Sequence, residues 1–305
     1  IQEVFSSLAK RGESMPSLKD VQNKIASVKK TKQITKAMNM VASAKLRKAQ
    51  TKIERFRPYA EKYYDLMGDM AAGVETGAHP LLEKRESVNS TGILLITSDR
   101  GLCGAFNTNL ITKAMHLAAA KQSLGQKVVF YAVGKKAVNA ARKGAYERVK
   151  SYRDCMDSFD FSLASELGNE VIRAYLEAEV DEVHLVFGRF ISVAKQEASD
   201  LRMLPVSQEG SGEQTDAGSA QYMYEPSVDG ILSELLPRFI KVQIYRGLLE
   251  TSASEHAARM SAMDNASNNC DEMITSLTLA YNKARQAAIT SELLDIVGGA
   301  EALKG

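Results

Sequence analysis

The sequence predicts an α/β domain inserted between the two halves of a long antiparallel two-helix coiled coil. Three observations predict it. A heptad-spaced apolar stripe lies near the N-terminus, a longer one runs toward the C-terminus, and between them short apolar runs alternate with helical patterns. On this reading residues 15–75 form the N-terminal coiled-coil helix and 90–207 a Rossmann-like α/β domain. Residues 207–224 form a mobile loop and 228–305 the C-terminal coiled-coil helix. Residues 1–14 (IQEVFSSLAKRGES) are expected to be an extension, non-native or disordered, because Met15-Pro16-Ser17-Leu18 reads as a natural start. A transit-peptide remnant is the alternative, and Glu3 and Glu13 weigh against it, since such peptides avoid acids.

The N-terminal stripe is Ala42, Leu46, Ala49, Ile53, Phe56, Ala60, Tyr63, Met67 and Met70, with alternating steps of four and three. That is an a/d seam. Upstream, Val21, Ile25 and Val28 follow the same step, and Lys32 and Thr35 then interrupt it. Ile34, Met38 and Val41 resume it on a shifted face, which predicts a slip of register and a local change of supercoil winding. Pro58 should kink this helix without ending it.

The C-terminal stripe is Leu235, Phe239, Val242, Leu249, Ala253, Met260, Met263, Cys270, Ile274, Leu277, Tyr281, Ala284 and Ala288, with Arg246, His256 and Ser267 as polar interruptions. No proline follows Pro237, and Gly247 is the only glycine before Gly298. A continuous helix of about 65 residues is roughly 100 Å long at 1.5 Å per residue, longer than a compact domain of this size. Two such helices bury their seams against each other or against a partner. An ordinary helical bundle is the alternative, but it needs turns that this segment does not signal.

Between the stripes, Thr91–Thr97 (TGILLIT), Lys127–Val133 (KVVFYAV) and Glu182–Phe187 (EVHLVF) read as buried parallel strands. Leu110–Ala120, Lys135–Arg142 and Phe161–Glu177 read as helices, the second ended by Gly144. Residues 207–220 (SQEGSGEQTDAGSA) lack apolar anchors, the composition of a mobile loop.

Composition bounds the function. The chain has 305 residues, 45% apolar and 25% charged, which is globular. No apolar run approaches the ~18 residues of a membrane span. Thirty-nine basic and 37 acidic residues leave +2, so bulk charge points to no nucleic acid. Cys103, Cys155 and Cys270 are odd in number and widely spaced, against both a disulfide scaffold and a zinc knuckle, and a reducing compartment fits them best.

Candidate chemistry is sparse. Ser98–Asn107 (SDRGLCGAFN) is a glycine-rich turn after a strand, where α/β folds place ligands. It has neither GK[ST] nor G-x-G-x-x-G, and reads as a tight turn. His79, His116, His184 and His256 share no ligand spacing, and Cys103 has no evident base, so it reads as a small buried thiol. No catalytic constellation emerges, and no cofactor or metal is expected. Between Lys19 and Lys62 there are 13 basic residues against Asp20, Glu54 and Glu61. This suits a solvated face, a nucleic acid, or a sheath of acidic protein surface.

Four blocks carry a resemblance: ITKAMNMVASAKLRKAQ (34–50), SDRGLCGAFN (98–107), EHAARMSAMDNASNN (255–269) and YNKARQAAITSELLDIVGGAEAL (281–303). In collinear order from about Met15 onward, the chain resembles the γ subunit of the F-type ATP synthase, bacterial type. The resemblance implies an asymmetric coiled-coil shaft inside a ring of three α and three β subunits. It places the α/β domain at the foot, against the ε subunit and the membrane c-ring. It implies no active site, no cofactor, no nucleic acid and no direct membrane insertion: the chain transmits torque between proton flow and ATP synthesis or hydrolysis. It also implies a peripheral place on the cytoplasmic face of the bacterial inner membrane, the mitochondrial matrix face being the alternative. By the same resemblance, Met38, Arg259, Gln286 and Thr290 lie where the family couples shaft and ring. Ile296, Val297 and Leu303 belong to an apolar C-terminal tip. Chloroplast-type relatives carry an extra loop with a thiol pair; residues 207–220 contain no cysteine, so that redox switch is not implied. The rivals are a basic coiled-coil nucleic-acid-binding protein, which salt-dependent DNA binding would reveal, and a nucleotide-binding enzyme on the α/β domain, which ATP binding by the isolated chain would reveal.

Overall fold

The computed structural model describes residues 18–73, 79–83, 85, 87–144, 146–206 and 228–302. The expected extension at 1–14, the expected loop at 207–224 and Leu303 lie outside the described residues. In chain order the elements are α1 (Leu18–Gly73), β1 (Ser90–Ile96), α2 (Phe106–Ser123), β2 (Lys127–Val133), α3 (Lys135–Lys143), β3 (Glu147–Tyr152), α4 (Phe161–Leu176), β4 (Glu182–Phe190), β5 (Gln196–Leu204) and α5 (Val228–Ala302). Pro58 and Pro237 both lie inside helices, and neither ends one.

The sheet has the order β3-β2-β1-β4-β5. β1 pairs in parallel with β2 and β4, β2 pairs in parallel with β3, and β5 lies antiparallel on β4. Alternate residues point to opposite faces, so each central strand feeds two cores. Ile93, Leu95, Phe130, Ala132 and Val186 pack under α2 and α3. Leu94, Ile96, Tyr131, Val133, Leu185 and Phe187 pack under α4 and the first half of α5. The crossover from β2 to α3 depends on Gly134: its φ is +90°, and a Cβ there would stand 2.3 Å from the Thr97 carbonyl oxygen. Asp160 caps α4 by accepting the Ser162 N–H at 3.0 Å.

The sequence reading gave three strands, and the sheet has five. β3 (ERVKSY) and β5 (QEASDLRML) are its two edges. An edge strand has one open side and carries charges along it, so neither strand shows the continuous apolar run that marks β1, β2 and β4.

The chain divides into two compact units. The larger, Val41–Ala262, holds the sheet, the second half of α1 and the first half of α5. Here α1 and α5 run antiparallel. Leu46 and Ala49 meet Ala253 and Ala257, the Phe56 and Tyr245 rings meet edge-on at 4.8 Å, and those of Tyr64 and Phe239 at 5.3 Å. Each such ring pair contributes about 0.5–1.5 kcal/mol beyond its area. Because α5 touches both α1 and the sheet, it is buried well beyond one seam: Leu236, Ile240, Ile244 and Leu248 are all fully enclosed. Gly247 lets the helix settle on Leu185, which a Cβ would approach to 3.0 Å.

The smaller unit pairs α1 up to Met40 with α5 from Met263 onward. Val21, Ile25 and Val28 on α1, and Ile274, Leu277 and Tyr281 on α5, are half-buried. The expected register slip is absent. The 3–4 step continues through Lys32, whose ammonium bonds Asp271, and through Thr35, which is 9% exposed and donates its hydroxyl to the Lys32 carbonyl at 3.0 Å. Ile34 and Val41, assigned to the shifted face, are instead 60% and 58% exposed. Polar side chains stay in the seam because one finds an ion partner and the other bonds its own helix backbone. Ala284, expected in the seam, is exposed, and from 282 to 301 only Ala288 is even half-buried.

Candidate functional site

The turn after β1 is the point where the larger unit is tied together. Its backbone is left-handed at Leu102 (φ 61°) and Gly104 (φ 57°), so the chain doubles back tightly before α2. Asn107, in the first turn of α2, holds it closed. The Asn107 side-chain oxygen accepts the Ser98 N–H at 3.1 Å, and its amide donates to Ser98 Oγ at 2.8 Å and to Cys103 Sγ at 3.1 Å. Cys103 is 2% exposed, as a small buried thiol should be, and burial pushes its pKa up, which disfavours a nucleophilic thiolate.

Asp99 faces the end of the sheet. One carboxylate oxygen accepts the N–H groups of Lys135 and Asp154, each at 2.9 Å, and the other accepts that of Met156 at 3.0 Å. Lys135 opens α3, so the carboxylate sits at a helix N-terminus beyond the C-terminal ends of parallel strands. That is where a doubly wound fold binds a ligand phosphate. Here the chain's own anion takes those donors, and the crevice is a structural joint.

Charged neighbours extend the joint. Asp157 binds Lys45 of α1 at 2.8 Å and Arg100 of the turn at 2.9 Å, and these cations hold its pKa below the usual carboxylate range. On α5, Glu255 and Arg259 form a buried pair at 2.7 Å, and the guanidinium also donates to the Gly101 carbonyl at 3.1 Å. Burial pushes the Glu255 carboxyl up against the pull of Arg259. Between them His256 is 6% exposed; burial, aided by Arg259 and Lys45, lowers its pKa to about 4, so the ring is neutral at pH 7. Sequence reasoning named His256, the turn that holds Asp99, and Lys45 as one of the basic residues of α1; Arg259 came from the resemblance, and Asp157 was missed. No sequence signal marked Asp157, whose partners Lys45 and Arg100 lie far off in the chain.

The residues singled out by resemblance fall in different places. Arg259 lies in the larger unit, bonded as above. Met38 is half-buried on α1 in the smaller unit. Gln286 and Thr290 are exposed one turn apart on α5, where the Thr290 hydroxyl donates to the Gln286 carbonyl at 2.9 Å. Ile296 and Val297 are 68% and 57% exposed. Among the described residues no group of three or more His, Cys, Asp or Glu side chains is placed to hold a metal ion, and no helix is long and apolar enough to cross a membrane.

The comparisons agree along nearly the whole chain. The model of a family described as ATP synthase matches residues 17–303. The ATP synthase gamma chain of Maridesulfovibrio salexigens is 62% identical over 292 residues, covering 95% of this chain and 100% of the relative. That of Nitratidesulfovibrio vulgaris (Hildenborough) is 63% identical over 291 residues with the same coverage. Among solved structures, a chain of the Euglena gracilis mitochondrial ATP synthase (OSCP/F1/c-ring, rotational state 3) has a TM-score of 0.63 at 22% identity, covering 94% of each chain. A chain of the Tetrahymena thermophila mitochondrial ATP synthase central stalk and c-ring has a TM-score of 0.55 at 24% identity, covering 77% of this chain and 99% of that one.

Proposed function

The chain belongs to the ATP synthase gamma chain family, and from that membership we propose that it is the central rotor shaft of the enzyme. Catalysis belongs to the β subunits of the ring; this chain carries torque. One copy stands within three α and three β subunits, with ε and the c-ring as its further partners. The bacterial relatives favour a peripheral position at the cytoplasmic face of the inner membrane. The observation that carries the reading is the match of 95% of this chain to the whole length of bacterial gamma chains, which favours a shaft over a basic nucleic-acid-binding coiled coil.

The physics of the described residues supports it. Residues 282–301 form helix with almost no burial in this chain. A helix without tertiary contacts is marginal in water, so it needs a surround. The exposed apolar side chains at its end, Leu293, Leu294, Ile296 and Val297, suit an apolar collar in which no ion pair fixes one angle. On the same reading Met38, Arg259, Gln286 and Thr290 are coupling positions. The test is purification of the native complex with quantified subunits. One copy per three α and three β supports the proposal; absence from the complex, or equal stoichiometry with β, contradicts it.

A further inference from the structure

One stripe of α5 is polar and yet buried. Thr251 and Ser254 are completely enclosed, and Glu255 and Arg259 are 5% and 9% exposed. These side chains reach the ends of two strands. The Gly188 N–H of β4 donates to Thr251 Oγ1 at 3.1 Å, and Ser254 Oγ donates to the Gly188 carbonyl at 3.0 Å. Two turns along, Arg259 donates to the Gly101 carbonyl, in the turn that follows β1, at 3.1 Å. The sheet explains why the groups of Gly188 are available. β1 pairs with β4 only as far as Leu95 opposite Val186, while β4 runs on beside β5. Beyond that point the two hydroxyls of α5 complete the bonding of the strand. A Cβ at 188 would stand 3.4 Å from Ser254 Cβ, so α5 lies in van der Waals contact with the strand at this point.

Apolar contact between a helix and a sheet is non-directional, and the packed side chains set the angle of the helix by shape alone. Hydrogen bonds to fixed backbone groups have an optimum in distance and angle. We propose that Thr251, Ser254 and Arg259 are positioning residues that form a torque clamp, locking α5 in angle and register against the ends of β1 and β4. The proposal rests on the rotor reading: a turning force on the α/β domain passes to the shaft through these bonds.

The test uses the complete complex with the double variant Thr251→Val/Ser254→Ala, and with Thr251→Ser, which keeps an acceptor hydroxyl. Three quantities are read: ATP hydrolysis, ATP-driven proton pumping in vesicles, and the angular spread of a bead attached to the α/β domain while the shaft is held stalled. Each missing bond raises the population of an unlocked arrangement about fivefold. The double variant should therefore keep hydrolysis, widen the angular spread and pump fewer protons per ATP, while Thr251→Ser behaves as wild type. An unchanged spread and an unchanged pumping ratio in an assembled complex overturn the clamp and leave the rotor standing. So does a lower melting temperature with no change in spread, which is a merely structural role. If the double variant does not assemble, Thr251→Val and Ser254→Ala are read singly, and failure of both to assemble overturns the clamp, the bonds then serving folding. A bead that never turns on the wild-type complex overturns the rotor reading itself.

Discussion

At the scale of single residues, His256 carries the clearest pH signature. Burial among Arg259 and Lys45 holds its pKa at about 4, against 6.5 when unfolded, with Asp157 pulling weakly the other way. The unfolded chain binds the extra proton between those values, so the contribution of the neutral ring is complete above pH 6.5 and is lost as the pH falls toward 4. A shift of this size corresponds to roughly 3 kcal/mol. Denaturant unfolding of wild type and His256→Gln at pH 7 and pH 4 should show wild type losing roughly that much more; parallel curves would mean the ring titrates normally. A second expectation concerns thiols. Cys103 is 2% exposed, and burial pushes Cys155 to about 11. Thiol reagents at pH 8 should label Cys103 last in the folded chain, and ATPase of the complex should not rise with dithiothreitol; early labelling of Cys103, followed by peptide mass, would contradict this burial. The buried thiol was legible in the sequence because a small residue in a glycine-rich turn has few other uses. Asp99 was not, because its three donors come from Lys135, Asp154 and Met156, far away in sequence.

At the scale of elements, periodicity was the strongest guide and also the source of the errors. The stripe from Ala42 to Met67 was legible because α1 buries one narrow face. The slip near Lys32 was misread because apolar character stood in for burial. Ile34 and Val41 are apolar and exposed, whereas Thr35 is polar and buried. Replacement of Ile34 by Gln should therefore change the stability of the free chain by no more than ~0.5 kcal/mol, while Leu46→Ala, in a seam position 4% exposed, should cost about 2–5 kcal/mol. Equal costs in denaturant melts would restore the slip. The two edge strands were hidden for a different reason, since a charged open side masks the strand pattern. The double burial of α5 was hidden as well: the stripe gave one face, and Leu236, Ile240, Ile244 and Leu248, enclosed on another, were not part of it. Gly188→Ala probes the packing of α2 on the sheet. Its Cβ would press on Phe106, and such overpacking costs about 1–3 kcal/mol.

At the scale of the whole molecule, the chain is a scaffold whose α/β crevice is closed by its own carboxylate and whose end helix is left bare for others to surround. The family was legible from four collinear blocks, but the sequence did not say which bonds tie the α/β domain to α5. Coupling is tested at Met38, which is uncharged and flexible. If Met38 couples shaft and ring as proposed, a lysine there pairs with a carboxylate or carbonyl on one conformation of the ring and holds the shaft at that angle. An ion pair partly shielded from water would add about 1–3 kcal/mol to the step that breaks it, slowing that step roughly 5–150-fold. Met38→Lys should lower proton pumping more than ATP hydrolysis, with Met38→Leu near wild type; if Lys and Leu match in both assays, Met38 is only a seam residue.

The central claim is that this chain turns. The direct measurement fixes the α and β subunits to a surface, attaches a bead to a cysteine placed at exposed Lys143, and follows the bead while ATP is supplied. A turning shaft gives continuous rotation in one direction, with three pauses per turn matching three catalytic β subunits, that stops when ATP is removed. A bead that stays fixed while the same complex hydrolyses ATP would contradict it.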